Sequence, residues 1–293
     1  MKHRAFIYII LAGILWGTSC LFVNALKPYN LTSLQMVCIR GSISAVAMCI
    51  FVFFYDKSIF KVSGRDLLLY FCSGAAMYFT AAFYYAAILK SSASTAVILM
   101  YTAPVMVMVY SVAFMGEKFN LPKGISVFLM ISGCALVSGI AGGLKTSILG
   151  AFLGLMSGVS YSAYNVFTKT QMNKKCNPLA ATLYCYIFMA ICSLIPCKPW
   201  QIVMVATNAP VTLLPIIGCG ICTCVLPYFL YTLALGVLPA GTATALGVME
   251  PLSATIFSVV FLDETLSVYS VFGIVLIMVA VFLLSRTANE EDV

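Results

Sequence analysis

A helix needs roughly 20 apolar residues to cross a bilayer, and this chain offers such stretches one after another along almost its whole length. They fall at 5–25, 31–54, 67–89, 93–115, 123–141, 148–168, 179–196, 211–234, 240–261 and 267–285. The breaks between them carry turn or charge signals: Lys27-Pro28, Asp56 to Asp66, Lys90-Ser91-Ser92, Gly116 to Pro122, Gly142-Gly143-Leu144-Lys145, Lys169 to Pro178, Cys197 to Pro210, Leu238-Pro239 and Asp263-Glu264. Lipid offers backbone groups no hydrogen-bond partner, so spans of this length must be helices. The chain is 62% hydrophobic and 9% charged, against about 25% charged in soluble domains. No water-soluble fold hides that much apolar surface. The expectation is an all-α polytopic membrane protein of ten transmembrane helices, with no room for a sizeable soluble domain.

Loop charges set the orientation. With the N-terminus in the cytoplasm, that side holds Lys2, Arg4, Lys57, Lys61, Arg65, Lys118, Lys123, Lys169, Lys174, Lys175 and Arg286. The outer side holds Lys27, Lys90, Lys145 and Lys198. Eleven against four predicts N-in and C-in, with a short acidic cytoplasmic tail at 287–293. The net charge of +7 is thereby read as topological, and no Lys/Arg stripe suits a nucleic acid. The apolar run from Ala5 to Ala25 is too long for a signal peptide and reads as the first span.

The chain repeats itself. A shift of 147 residues aligns Tyr84 with Tyr231, Ala87 with Ala234, Ala93 with Ala240 and Thr95-Ala96 with Thr242-Ala243. It also aligns Leu99 with Leu246, Pro104 with Pro251, Ser111-Val112 with Ser258-Val259, Phe114 with Phe261 and Glu117 with Glu264. That is eleven identities over positions 84–118. A shift of 141 pairs Gly13 with Gly154, Gly17 with Gly158, Ser19 with Ser160 and Asn24 with Asn165. Each half, 1–143 and 148–286, then holds five spans. Five is odd, so the halves insert in opposite senses, as in many secondary transporters.

The stretch from Ala87 through Ser91-Ser92-Ala93-Ser94-Thr95 to Pro104 and Gly116-Glu117 resembles the end of an EamA-type repeat of the drug/metabolite transporter superfamily. So does Ala234 through Pro239-Ala240-Gly241-Thr242-Ala243 to Glu250-Pro251 and Asp263-Glu264. Gly13-Ile14-Leu15-Trp16-Gly17 and Ile39-Arg40-Gly41 are similar to the family's opening. The resemblance covers nearly the whole chain twice over. It departs at Ser126, where the second half has the family glycine Gly273, and at Ala280, where the first half has Gly133. The resemblance implies a secondary active transporter of a small metabolite, amino acid or drug across the cytoplasmic membrane, by efflux or exchange. An uptake permease or passive facilitator is the alternative. The implied partners are a small-molecule substrate, the bilayer and protons, with a monomer or weak homodimer and no cofactor.

Charge inside a membrane is costly and marks function. Glu250 is the one acidic residue deep in a span, ten residues past Ala240 and eleven before Phe261. At 1.5 Å per residue it lies roughly 15 Å from either face. Its repeat mate is Ala103, so the halves differ there. Glu250 is expected to bind a substrate ammonium or the coupling proton. Arg40 is the deep cation, a partner for a substrate carboxylate or for Glu250, or else a structural arginine. Tyr84 falls on the stripe Gly74, Met77, Ala81, and Tyr231 on the stripe Gly220, Cys224, Pro227. With Trp16, Tyr161 and Tyr164 they are candidate cavity residues. Pro104 and Pro251 are expected to bend their helices, and Asn24 and Asn165 to gate or bond between helices. Cys219, Cys222 and Cys224 read as small apolar packing rather than a metal site.

Other classes fare worse. The one histidine is His3, H-E-x-x-H and G-x-S-x-G are absent, and no nucleotide-binding G-x-x-x-x-G-K-[ST] occurs. These absences disfavour a membrane enzyme and an ATP-driven pump. Alkaline phosphatase fused within 142–147 should be active, and the same reporter after Val293 inactive. The reverse result would overturn the orientation.

Overall fold

The computed structural model describes residues 2–90, 96, 99–137, 147–262 and 267–290, with the side chains of 258 and 284–290 excepted. The regular elements among them are all helical. They are α1 (Lys2–Gly17), α2 (Ser19–Leu26), α3 (Ser33–Tyr55), α4 (Gly64–Lys90), α5 (Ala103–Phe114), α6 (Leu121–Val137) and α7 (Ile148–Asn173). Then come α8 (Pro178–Cys197), α9 (Pro199–Asn208), α10 (Leu213–Gly220), a π-helical turn Ile221–Val225, α11 (Leu226–Leu235), α12 (Ala240–Leu246), α13 (Met249–Leu262) and α14 (Val268–Glu290). The segment Ser91 to Thr95, the joint Gly142 to Lys145, Asp263-Glu264 and Glu291-Asp292 lie outside the described residues.

Helix starts obey local chemistry. Thr32 and Gln35 form a reciprocal capping box at α3. The Ser147 hydroxyl accepts from the Gly150 N–H to start α7, and donates to the Lys90 carbonyl. Asn177 caps α8 ahead of Pro178.

Among the described residues, six helical stretches are long and apolar enough to cross a membrane: Lys2–Tyr29, Ser33–Tyr55, Gly64–Lys90, Pro178–Cys197, Pro210–Leu235 and Ala240–Leu262. Three shorter apolar helices, Ala103–Phe114, Leu121–Leu136 and Val268–Leu283, accompany them. The chain is thus a multi-pass membrane protein. α7, where the sixth span is expected, is not in that set. Its buried face carries Ser157, Ser162, Asn165, Thr168 and Gln171, which places a polar stripe inside the bundle.

Several expected continuous spans are broken. The first divides at Thr18, whose hydroxyl bonds the Leu15 carbonyl. The fourth has a turn at 101–102 before α5, and the ninth a turn at 247–248 before α13. Pro104 is therefore a helix-start residue rather than a bend, and Pro251 is the third residue of α13. Proline is tolerated there because first-turn N–H groups have no intrahelical acceptor. The stretch from Cys197 to Pro210, expected as a loop, contains α9. Its Gln201 accepts from Gln35 Nε2 at 2.6 Å.

Helices pair across the chain: α4 with α7, α1 with α11, α3 with α8, α6 with α14, α5 with α12, α1 with α13 and α5 with α7. Small residues permit the closest approaches. A Cβ on Gly133 would lie 2.7 Å from the Gly273 carbonyl oxygen, so the two glycines that break the repeat meet at one α6–α14 crossing. A Cβ on Gly74 would lie 2.6 Å from the Cys185 carbonyl oxygen and from Phe188 Cβ. Gly74→Val should separate α4 from α8 and cost about 1–3 kcal/mol, read as a lower melting midpoint in detergent. Gly64→Ala, which meets nothing within 4 Å, should leave the midpoint unchanged.

Candidate functional site

A cavity of about 520 Å³ lies at the centre of the bundle, walled by α2, α3, α4, α7, α8, α10, the π turn, α11 and α13. Its volume suits a small organic ligand. Of the sequence candidates, Glu250, Arg40, Tyr84, Tyr161 and Pro251 line it. Residues more than 200 positions apart thus share one wall.

Glu250 occupies the first turn of α13, where unpaired N–H groups and the helix dipole favour a carboxylate. Its own N–H donates to the Gly247 carbonyl at 3.0 Å. The Tyr101 hydroxyl lies 3.2 Å from Glu250 Oε2 and 3.3 Å from the Gly247 carbonyl oxygen. Its single proton is shared between the carboxylate and the helix break. Tyr101 itself stands at the 101–102 turn, so a break in one part of the chain holds the break in another.

Arg40 is held by a different irregularity. Its Nε donates to Cys224 Sγ at 3.2 Å and its Nη2 points to the Thr223 carbonyl at 3.5 Å. That carbonyl belongs to the π turn, where the ordinary helical bonding pattern is displaced. Tyr85 lies beside the guanidinium. One turn further along α3, the Ser44 hydroxyl reaches the Gly220 carbonyl at 3.0 Å and anchors the same crossing.

The other candidates are not among the residues that line the cavity. Trp16, Tyr164 and Tyr231 are buried and pack around Tyr228, with Trp16 4.8 Å from its ring centre and Tyr164 5.7 Å. Trp16 also lies 5.4 Å from Tyr231. The Tyr231 hydroxyl donates to Asn165 Oδ1 and meets Thr244 Oγ1 at 3.3 Å. Asn165 Nδ2 donates to the Tyr161 carbonyl. Asn24, its repeat mate, is exposed, so the two asparagines do not share a role. Pro104 is buried away from the lining.

Tyr101, Tyr85 and Tyr228 are site residues that the sequence reading did not select. The stripe Gly74, Met77, Ala81, Tyr84 works because α4 is continuous: Met77, Ala81 and Tyr84 all line the cavity. The stripe Gly220, Cys224, Pro227, Tyr231 places Cys224 on the cavity and is lost after the π turn, which adds a residue and rotates α11 relative to α10. Tyr228 faces the cavity in place of Tyr231.

The cavity reaches Val23, which is 46% exposed, at the end of α2. Polar contacts outside the cavity lining tie α7, α11 and α12 to other parts of the bundle. Glu117 Oε1 accepts from the Ala240 N–H at 2.7 Å, capping α12. Lys169 Nζ donates to the Leu235 and Leu238 carbonyls at 3.0 and 2.8 Å.

The EamA-like transporter family model matches residues 3–139 and again 148–286. The chain belongs to the EamA-like transporter family. Relatives agree: uncharacterized transporter YwfM of Bacillus subtilis (strain 168) is 26% identical, covering 97% of this chain and 95% of its own. An uncharacterized transporter of Archaeoglobus fulgidus is 25% identical over 95% of each chain. A solved crystal structure, 14% identical, matches 100% of both chains with a TM-score of 0.81, a likeness of fold. This EamA-like chain is accordingly a membrane transporter with a small-molecule substrate. Tyr101→Phe should lower its flux per folded protein about tenfold, the worth of one hydrogen bond to a charged group. Unchanged flux would show that the shared proton has no part in transport.

Proposed function

We propose that this EamA-like protein is a secondary active transporter of the cytoplasmic membrane, working by alternating access and exporting or exchanging a small metabolite, amino acid or drug. The observation that carries the reading is the central cavity, which has Glu250 and Arg40 on its wall and extends to exposed Val23 at the end of α2. A site reachable from one side at a time is what alternating access requires.

Two inverted five-helix halves, 1–143 and 148–286, supply the moving parts. The pairing pattern supports them. Exchanging the first five spans for the last five turns the α4–α7 contact into α11–α1, and the α1–α13 contact into α7–α5. The α3–α8, α5–α12 and α6–α14 contacts map onto themselves. With both termini cytoplasmic, the end bearing Val23 faces outward and the Glu117–Ala240 cap lies on the inner side. On this reading the cavity is the outward-facing form of the site. Opening inward requires breaking the Glu117 cap on Ala240, which joins the two halves. Closing outward brings the two halves together over the cavity.

Glu250 binds a substrate ammonium or exchanges the coupling proton. Tyr101 comes from the first half, and Gly247 and Glu250 from the second. Rocking the halves alters the hydrogen bond that orients the carboxylate, which ties occupancy to motion. Proteoliposomes screened across amino acids and cationic drugs, with and without a pH gradient, test the reading. Transport should depend on the gradient or on counter-substrate. Glu250→Gln should lower it by 10-fold or more, about 1.4 kcal/mol or above. A Glu250→Gln protein that transports normally across the pH range removes the carboxyl from the mechanism. Flux indifferent to gradient and counter-substrate removes the active transporter.

A further inference from the structure

Both deep charges face one cavity, yet each is held by neutral groups. Arg40 is oriented by the Cys224 sulfur and the Thr223 carbonyl, and Glu250 by the Tyr101 hydroxyl. Had they served only to neutralise each other, a direct ion pair would be the expected arrangement. Among the described residues neither charge is committed to such a pair. Tyr85 is a further neutral partner of the guanidinium, and Glu250 Oε1 takes no part in the Tyr101 bond.

The charge balance then constrains the occupant. Among the described residues the cavity wall carries one cation and one anion, Arg40 and Glu250. Once the cavity has closed around it, a ligand that is only a cation would satisfy Glu250 and leave the site with a net positive charge away from bulk water. A ligand that is only an anion would leave it net negative. Unbalanced charge in a low-dielectric enclosure is expensive. A ligand bearing both charges satisfies both groups and keeps the site neutral. The remaining wall is apolar and adaptable, with Met36, Met77, Met100 and Met189 beside Tyr84 and Tyr228. Thioethers and aromatic faces suit an apolar body of varied shape.

We infer that the cavity selects a small zwitterion with an apolar body, its ammonium at Glu250 and its carboxylate at Arg40. This rests on the transport reading and narrows its substrate class. The two charges of the ligand are held by different halves, so the zwitterion spans the interface that must move. A singly charged analogue engages one half and leaves the other half's charge uncompensated.

Three probes share one body and differ only in charge: L-phenylalanine, phenethylamine and 3-phenylpropionate. Binding to the unmodified protein in detergent at neutral pH should favour phenylalanine over either analogue by about tenfold or more. Glu250→Gln should bring phenylalanine down towards 3-phenylpropionate, and Arg40→Gln down towards phenethylamine. Comparing probes on the unmodified protein keeps the result independent of whether Arg40→Gln folds. Phenethylamine binding as tightly as phenylalanine overturns the inference, since Arg40 then meets no ligand group. Binding by none of the three overturns it as well. Flux of the same probes into proteoliposomes separates the two claims. Phenethylamine moving without a preference for phenylalanine leaves transport standing and removes the zwitterion. Selective phenylalanine binding without flux leaves the site and removes transport.

Discussion

Hydrocarbon gives an unpaired peptide group nowhere to go, and this constraint governs where the helices of the protein can break. Each interruption near the centre has a partner waiting. The Gly247 carbonyl at the 247–248 turn meets the Tyr101 hydroxyl, the Thr223 carbonyl of the π turn meets Arg40, and the Gly220 carbonyl meets Ser44. The groups that satisfy these breaks are also the groups that orient the cavity's charges. Site and backbone repair are one construction: Tyr101 holds both Gly247 and Glu250, and Arg40 reads the π turn while facing the cavity.

Outside the cavity the bundle relies on close packing of small residues, since lipid supplies no hydrophobic force between helices. Gly133 against Gly273 and Gly74 against the α8 backbone leave no space for a side chain. The same economy explains the imperfect glycine pattern. A crossing between α6 and α14 needs its glycines where the helices touch, and each helix supplies one of them. Local differences between related segments therefore record contact geometry.

The centre is where related segments part company. Glu250 stands where the earlier segment has Ala103, and buried Asn165 corresponds to exposed Asn24. The α1–α2 break at Thr18 has no counterpart in α7, which runs unbroken from Ile148 to Asn173. A frame of similar parts surrounds a pocket whose walls are not interchangeable. Arg40 and Glu250, from distant parts of the chain, both line it.

Much of this was readable from residue order. Apolar stretches of bilayer length, Thr32 with Gln35, the Tyr84 stripe of continuous α4, and a lone deep carboxyl at Glu250 depend only on local spacing and on the cost of charge in lipid. Tertiary structure decided what local spacing cannot carry. The π turn rotated Tyr228 into the cavity in place of Tyr231, because one extra residue in a turn resets every position after it. Tyr101 became a site residue because two distant helix breaks were brought together, and no periodicity within either segment records that meeting. Arg40 faces the cavity instead of reaching for the surface because a carbonyl displaced by the π turn lies within its reach. Sequence set the solvent and the elements; the packing of interrupted helices set which side chains share the pocket.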